Sequence, residues 1–384
     1  MGREFIMPKE IITGHEAMEL AGKYFKQFGE KALIVTDSVM VKLGNVEKVE
    51  HILKKEKVEY EIFEGIDGEP TDVMIQNGKA IYMKGQCDFL IAVGGGSAID
   101  SMKAIAVLVA NGGEITDYVG QSITGVFPKM AAIPTTAGTG AEATQFTIIT
   151  DTKNNIKMLL RGRNLIPDLA VIDSQFTLTA PPKITAATGV DALTHAIEAY
   201  TSQKAQTLSD VFALSAIKRI FQYLPVAFRD GKNEKAREQM AIAALEAGIA
   251  FNNSSVTLVH GMSRPIGALF HVPHGISNAM LLKECLMFAL EGNYSRFADL
   301  GRAIKAADEK SSDQLASERF LTHVEQLCKK LEIPTLEEYG IDKNEYYEVI
   351  DKMVHDAMES GSPQNTWRKL HAEDLKHIYS KLWK

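Results

Sequence analysis

Only ten histidines occur in the 384 residues, yet His195, His260, His271 and His274 fall within about 80 residues of one another. Clustered imidazoles are what a divalent metal site needs, since each offers a neutral nitrogen ligand and a nearby carboxylate supplies charge. In TGVDALTHAIEAY, Asp191 and His195 stand four apart and share a helix face, with Glu198 on the same side. Leu193, Ala196, Ile197 and Tyr200 form the opposite, apolar stripe. A solvated helix shows the same two faces, so this segment alone is ambiguous. The second segment, HGMSRPIGALFHVPHG, carries three histidines, two prolines and three glycines, too many breakers for one plain exposed helix. Straight helix from His260 to His274 would hold those rings about 20 Å apart. A shared ion therefore requires the chain to bend back, and Gly267, Pro273 and Gly275 supply the means. Three imidazoles and a carboxylate suit iron or zinc, and residue type does not choose between them.

Two further stretches are built to hold phosphate. FLIAVGGGSAIDSMKAIA reads as a buried strand, a glycine turn and a helix, with Ser97 as N-cap and Asp100 at the third helical position. Gly94, Gly95 and Gly96 let backbone approach a ligand closely, and the unpaired N–H groups of a helix start suit a pyrophosphate. A bare strand-to-helix turn would use the same residues. PTTAGTGAEAT places Thr135, Thr136, Thr139 and Thr144 around Gly138 and Gly140, a second donor-rich loop. Neither is a GxGxxG fingerprint or a GxxxxGK[ST] loop, which removes the main support for kinase and NTPase readings. Asp37 closes the strand in KALIVTDS, where a carboxylate can bond a ribose diol and repel a 2′-phosphate, favouring NAD over NADP. A capping aspartate is the competing reading.

The elements that must position these residues fall into two halves. Up to about residue 180, short β-branched runs alternate with helical stretches, the pattern of βαβ units and a parallel sheet. Beyond Pro181 and Pro182 the apolar residues recur at helical spacing, as in LSDVFALSAIKRIFQYL. The expectation is an α/β dinucleotide-binding domain over 1–180 and an all-helical metal-binding and substrate domain over 181–384, with the active site between them. No internal repeat or low-complexity tract intervenes.

Composition excludes several classes. A hydrophobic content of 45% with 24% charged residues is ordinary for a globular protein, and a net charge of −7 without a basic run argues against nucleic-acid binding. No apolar run reaches the roughly 18 residues of a membrane span, and MGREFIMPKEIITG lacks the core of a secretory signal, so a cytoplasmic protein without membrane association is expected. Cys87, Cys285 and Cys328 lack CxxC spacing and are expected to be buried, reduced thiols.

Taken together, VTDS, VGGGSAID, IPTTAGTGAEAT, TAATGVDALTHAIEAY and HGM…VPHG occur in the order and spacing found in the iron-containing, or group III, alcohol dehydrogenases, which the chain resembles over essentially its whole length. The resemblance implies the dehydroquinate synthase-like fold of that family. It also implies a metal, usually Fe2+ with Zn2+ as alternative, bound by Asp191, His195, His260 and His274. By the same matching, Asp37, Gly95, Gly96, Ser97, Thr135, Thr136, Thr139, Thr144 and Lys157 fall where the family contacts NAD, with Lys157 near its ribose. The implied reaction interconverts a small alcohol or diol and its aldehyde or ketone, in a dimer or larger homo-oligomer. A glycerol-dehydrogenase-like polyol or hydroxyacid dehydrogenase, a lyase of the dehydroquinate synthase type and a non-catalytic dinucleotide-binding protein are the alternatives on this fold.

The chain departs from the family pattern at two places. Members often carry a histidine four residues after the third ligand, where this chain has Arg264, a group that cannot serve as a base. Either Arg264 lends positive charge for a polar or anionic substrate end, or it pairs with a protein carboxylate, with Glu69 the candidate. Glu69 itself stands where relatives have asparagine, beside Pro70. Protons must then leave through His271 or water, and His271 is either a relay or a structural residue of the pocket.

Overall fold

The computed structural model describes residues 2–154 and 156–383. Two compact units result, Ile6–Ala180 and Met1–Phe5 with Pro181–Lys384.

The first unit is α/β, with strands β1 (Glu10–Thr13), β2 (Lys31–Val35), β3 (Glu59–Phe63), β4 (Phe89–Gly94), β5 (Lys129–Pro134), β6 (Phe146–Asp151), β7 (Ile156–Arg161) and β8 (Leu169–Ile172). Its helices are α1 (Ala17–Phe28), α2 (Ser38–Lys42), α3 (Asn45–Lys55), α4 (Asp72–Gly85) and α5 (Gly96–Asn111). Six strands pair in parallel in the order β1-β8-β5-β4-β2-β3. Successive side chains of a strand point to opposite faces, so Leu33, Val35, Leu90 and Ala92 enter one core while Ala32, Ile34, Phe89, Ile91 and Val93 enter the other. Helices α4 and α5 close the first core and α1 and α3 the second, which is why the strands read as unbroken apolar runs.

The strand order reverses between β2 and β4, and in an open parallel sheet the carboxyl ends at that switch form the ligand crevice. Asp37 follows β2 there and Gly95 follows β4. The edge strand β1 makes Lys31–Val35 the second strand of the chain rather than its first.

Two features differ from expectation. Helix α5 starts at Gly96 with Gly95 as N-cap and no side-chain cap, so neither Ser97 nor Asp100 forms a capping box. The helix begins two residues early because glycine backbone needs no capping side chain to reach the extended N-cap geometry. Asp100 instead accepts from the backbone N–H of Ile148 at 3.1 Å, tying α5 to an unanticipated antiparallel hairpin, β6–β7.

The second unit is helical: α6 (Pro182–Thr201), α7 (Thr207–Arg229), α8 (Glu234–Ser254), α9 (Leu258–Phe270), α10 (His274–Leu290), α11 (Tyr294–Ala303), α12 (Asp313–Lys330), then α13 (Leu336–Tyr339), α14 (Lys343–Glu348), α15 (Ile350–Glu359) and α16 (Ala372–Lys381). Helix α6 carries Pro182 in its first turn, where the missing N–H costs nothing, and is buried along nearly its whole circumference against α7, α8 and α10. That burial rules out a solvated face for Asp191, His195 and Glu198. Helix α7 is long and apolar enough to cross a membrane by length and composition, where no such run was expected. Here Ala213, Ile217, Ile220 and Leu224 make one buried stripe. All three cysteines are free, with Cys328 half-buried rather than buried.

Candidate functional site

Asp191 and His195 stand one turn apart on α6, His260 lies in the first turn of α9, and His274 opens α10. The reversal that brings α10 back is made by His271, in left-handed conformation at φ 52°, with Val272 and Pro273 following. Gly267 lies within α9 and Gly275 within α10, so neither breaks the chain as expected. Gly275 serves a different purpose: a Cβ there would meet the carbonyl oxygen of Ala187 at 2.3 Å, so its absence lets α10 touch α6 one turn before Asp191.

The four ligand atoms lie within 4.8 Å of one another. From Asp191 Oδ1 the distances are 3.9 Å to His195 Nδ1, 3.7 Å to His260 Nε2 and 3.7 Å to His274 Nε2. Ligands about 2.1 Å from a tetrahedral ion stand about 3.4 Å from one another, so the cluster needs only slight contraction to hold a cation. The Asn278 amide nitrogen now supplies positive polarity there, donating to Asp191 Oδ1 at 2.8 Å and lying 3.3 and 3.2 Å from His260 Nε2 and His274 Nε2. His195 Nδ1 finds no hydrogen-bond partner among the described residues although it is buried. An orphaned imidazole nitrogen and a buried carboxylate sharing a centre are the donor set a divalent cation completes.

A supporting shell fixes these rings. Glu198, one turn past His195, accepts from Thr257 N and Oγ1 and from Val259 N, and lies 2.6 Å from His260 Nδ1. That contact leaves Nε2 of His260 facing Asp191. His195 is stacked between Phe251 and His260, with centroids 4.2 and 4.3 Å away. Burial opposes charge on Asp191, but His195, His274 and the hydrogen-bonded His260 outweigh it and hold the carboxyl well below the usual carboxylate range. Burial pushes His195 down to about 3, leaving it neutral, the form that binds metal. Burial also lowers His260, yet Glu198 and Asp191 on its two nitrogens bring it above the usual histidine value. Three ligands are buried, whereas the His274 side chain is 45% exposed, so the site opens on that edge.

Arg264 and His271 stand apart from this set. Arg264 follows His260 by one turn of α9 and is half-buried, and no hydrogen bond or ion pair engages it among the described residues. Burial lowers its pKa, with Glu198 the one opposing charge. The expected pairing with Glu69 is not found: Glu69 Oε1 binds Lys157 Nζ at 2.6 Å. That lysine is thus taken up by a neighbouring carboxylate. His271 serves the turn through its backbone, its carbonyl accepting from Tyr339 Oη at 3.4 Å, and among the described residues no hydrogen bond joins its ring to the cluster.

In the α/β unit the two donor-rich loops touch. A Cβ on Gly95 would come within 3.4 Å of Thr136 Oγ1, and one on Gly96 within 2.9 Å of Thr139 Cγ2, so only glycine leaves this cradle open. Thr135 N donates to Gly94 O at 3.0 Å, joining the loops at the strand ends. The first turn of α5, with Ser97, presents free N–H groups beside them, which fits a pyrophosphate. Asp37 is a capping residue, as the competing reading expected. Its Oδ1 caps α2, accepting from Val39 N and Met40 N at 2.9 Å, while its Oδ2 lies 3.7 Å from the Cβ position of Gly94.

Thr144 is engaged elsewhere, since its carbonyl and hydroxyl accept from Lys103 Nζ at 2.9 and 3.0 Å. Lys103 also donates to Phe146 O, and with Asp100 and Glu142 forms a buried charge cluster under the hairpin that sequence reasoning missed. Burial moves Lys103 down to about 8, Asp100 up to about 6 and Glu142 up to about 7. A lysine inside the apolar run SMKAIAVLVA was the available signal.

Comparison with known proteins agrees with both units. Residues 8–174 match the family model for iron-containing alcohol dehydrogenase, and residues 185–383 the model for the C-terminal part of that family. The chain is 34% identical to an NAD-dependent methanol dehydrogenase of Bacillus methanolicus, over 97% of this chain and 98% of the relative. It is 35% identical to an NADPH-dependent butanol dehydrogenase of Clostridium saccharobutylicum, over 98% and 96%. A crystal structure of 1,3-propanediol oxidoreductase superposes with a TM-score of 0.96 at 32% identity, covering 100% of both chains.

Proposed function

This chain belongs to the iron-containing alcohol dehydrogenase family, and we propose that it moves hydride between a small alcohol or diol and NAD, with Fe2+ held by Asp191, His195, His260 and His274. The observation that carries the reading is the convergence of those four donors within one helical unit. The cation, when bound, polarises the substrate oxygen, and the dinucleotide carries the hydride.

The chain's own residues supply position and charge. Asp191 contributes a fixed negative charge, Glu198 orients His260, and Phe251 packs His195 into one ring plane. Substrate and water reach the site at the exposed His274 edge. Arg264 keeps its proton at any ordinary pH, so the alcohol proton passes to water at that edge rather than to a base one turn beyond His260.

In the α/β unit, Gly94, Gly95, Gly96 and the start of α5 would hold the pyrophosphate, and Asp37 would accept from the ribose hydroxyls. A carboxylate there repels a 2′-phosphate, which supports NAD over NADP; relatives of similar identity are named for either cofactor, so the chain's own residues must decide. The family match leaves a glycerol-dehydrogenase-like or non-catalytic protein without support.

Anaerobic reconstitution with Fe2+ or Zn2+, followed by an NAD-reduction screen across diols and short alcohols, tests the reading. Metal uptake without NAD reduction by any alcohol would overturn it.

A further inference from the structure

Arg264 stands four residues beyond His260 on α9 and therefore on the same helix face. Its side chain is half-buried, and no hydrogen bond or ion pair engages it among the described residues. Glu198 is the one carboxylate whose charge reaches it, and both oxygens of Glu198 are occupied by His260, Thr257 and Val259. A guanidinium cannot shed its proton, and a half-buried charge left without a protein partner is available to a ligand's anion.

Charge balance points the same way. A divalent ion at the four ligands would cancel Asp191 and Glu198, and Arg264 would remain as one uncompensated positive charge. A neutral short alcohol leaves that charge bare. A carboxylate or sulfonate presents two oxygens in the geometry that a guanidinium fork accepts. Four residues rise about 6 Å along a helix, the span of a chain of three or four carbons.

We infer that Arg264 forms an anion-binding subsite beside the metal centre, taking the carboxylate or sulfonate end of a short alcohol or aldehyde. The subsite rests on the alcohol–aldehyde reading above and names the substrate class for the same site. Arg264 acts in specificity and takes no part in proton transfer.

The zinc-loaded enzyme, titrated calorimetrically with propanoate and with its neutral isostere propanamide, provides a test that does not depend on turnover. Propanoate is expected to bind at least ten-fold more tightly than propanamide, and Arg264→Gln is expected to remove that preference. Equal binding of the two by the unaltered enzyme overturns the inference. So does a propanoate preference that survives in Arg264→Gln, because the anion then sits on the metal. Should that variant fail to fold, Arg264→Lys gives the same reading: a reduced preference supports the fork, and an unchanged one overturns it. Oxidation of 1-propanol is measured alongside. Turnover of 1-propanol without an anion preference removes only the subsite, whereas absence of turnover with every alcohol removes the parent reading.

Discussion

Glu198 Oε2 lies 2.6 Å from His260 Nδ1, so a carboxylate outside the four-donor set decides how His260 Nε2 faces the cluster. Outer-shell partners of this kind typically contribute 10–100-fold in metal affinity. Glu198→Gln is expected to weaken metal binding by about that factor, measured by chelator competition, with activity recovering at high metal concentration. Glu198→Ala also strands the Thr257 and Val259 donors and should cost about 3–5 kcal/mol in denaturant unfolding. Unchanged metal affinity in the glutamine variant would refute the orienting role.

Gly275 predicts a coupling between packing and metal affinity. An alanine there must displace the Ala187 carbonyl, now 2.3 Å from the new Cβ, or push α10 away from α6. Overpacking of this sort costs about 1–3 kcal/mol. Because His274 opens α10, Gly275→Ala should lower both the melting temperature and metal affinity; loss of stability with native affinity would uncouple the two.

Asp37 both caps α2 and faces the glycine turn, and two substitutions separate these roles. Asparagine is as good a cap as aspartate but carries no charge. Asp37→Asn should raise the ratio of kcat/KM for NADP over NAD by about ten-fold or more, in line with about 1.4 kcal/mol per decade, while the melting temperature holds. Asp37→Gly should relax the preference as well and, glycine being a fair N-cap, lose only about a few tenths of a kcal/mol of stability. A ratio that stays put in both variants would dissociate Asp37 from cofactor choice.

Glu142 predicts a pH dependence of stability. Burial raises it from an ordinary 4.5 to about 7. The fold thus favours the protonated form: the stability this contributes is complete below pH 4.5 and is lost as the pH rises through about 7. Glu142→Gln should remove that slope and melt higher than the unaltered protein at pH 8, by up to about 3 kcal/mol. Parallel melting curves from pH 5 to 8 for both proteins would contradict the assignment.

Much of this architecture was legible in the chain. Helical spacing of Asp191, His195 and Glu198 placed them on one face, and the residues around Gly94 form the strand, glycine turn and helix start that their order indicated. Other residues were assigned the wrong task. The bend between α9 and α10 falls on His271, because histidine tolerates left-handed backbone better than most residues, while the nearby glycines serve packing. Ser97 and Asp100 looked like a capping pair, but the helix starts at Gly96 and Asp100 turns to the hairpin. Lys103 and Glu142 escaped notice because a buried pair of charges far apart in sequence leaves no periodic mark.

The amino-acid order by itself determined the local elements, the types of donor available and the family, since periodicity, turn chemistry and motif spacing act over a few residues. Tertiary structure alone decided that three helices bring four donors to one point, that Glu69 takes Lys157, and that Arg264 is left half-buried without a partner among the described residues. Those outcomes depend on packing between segments tens of residues apart, where a contact of one ångström settles what a side chain can do.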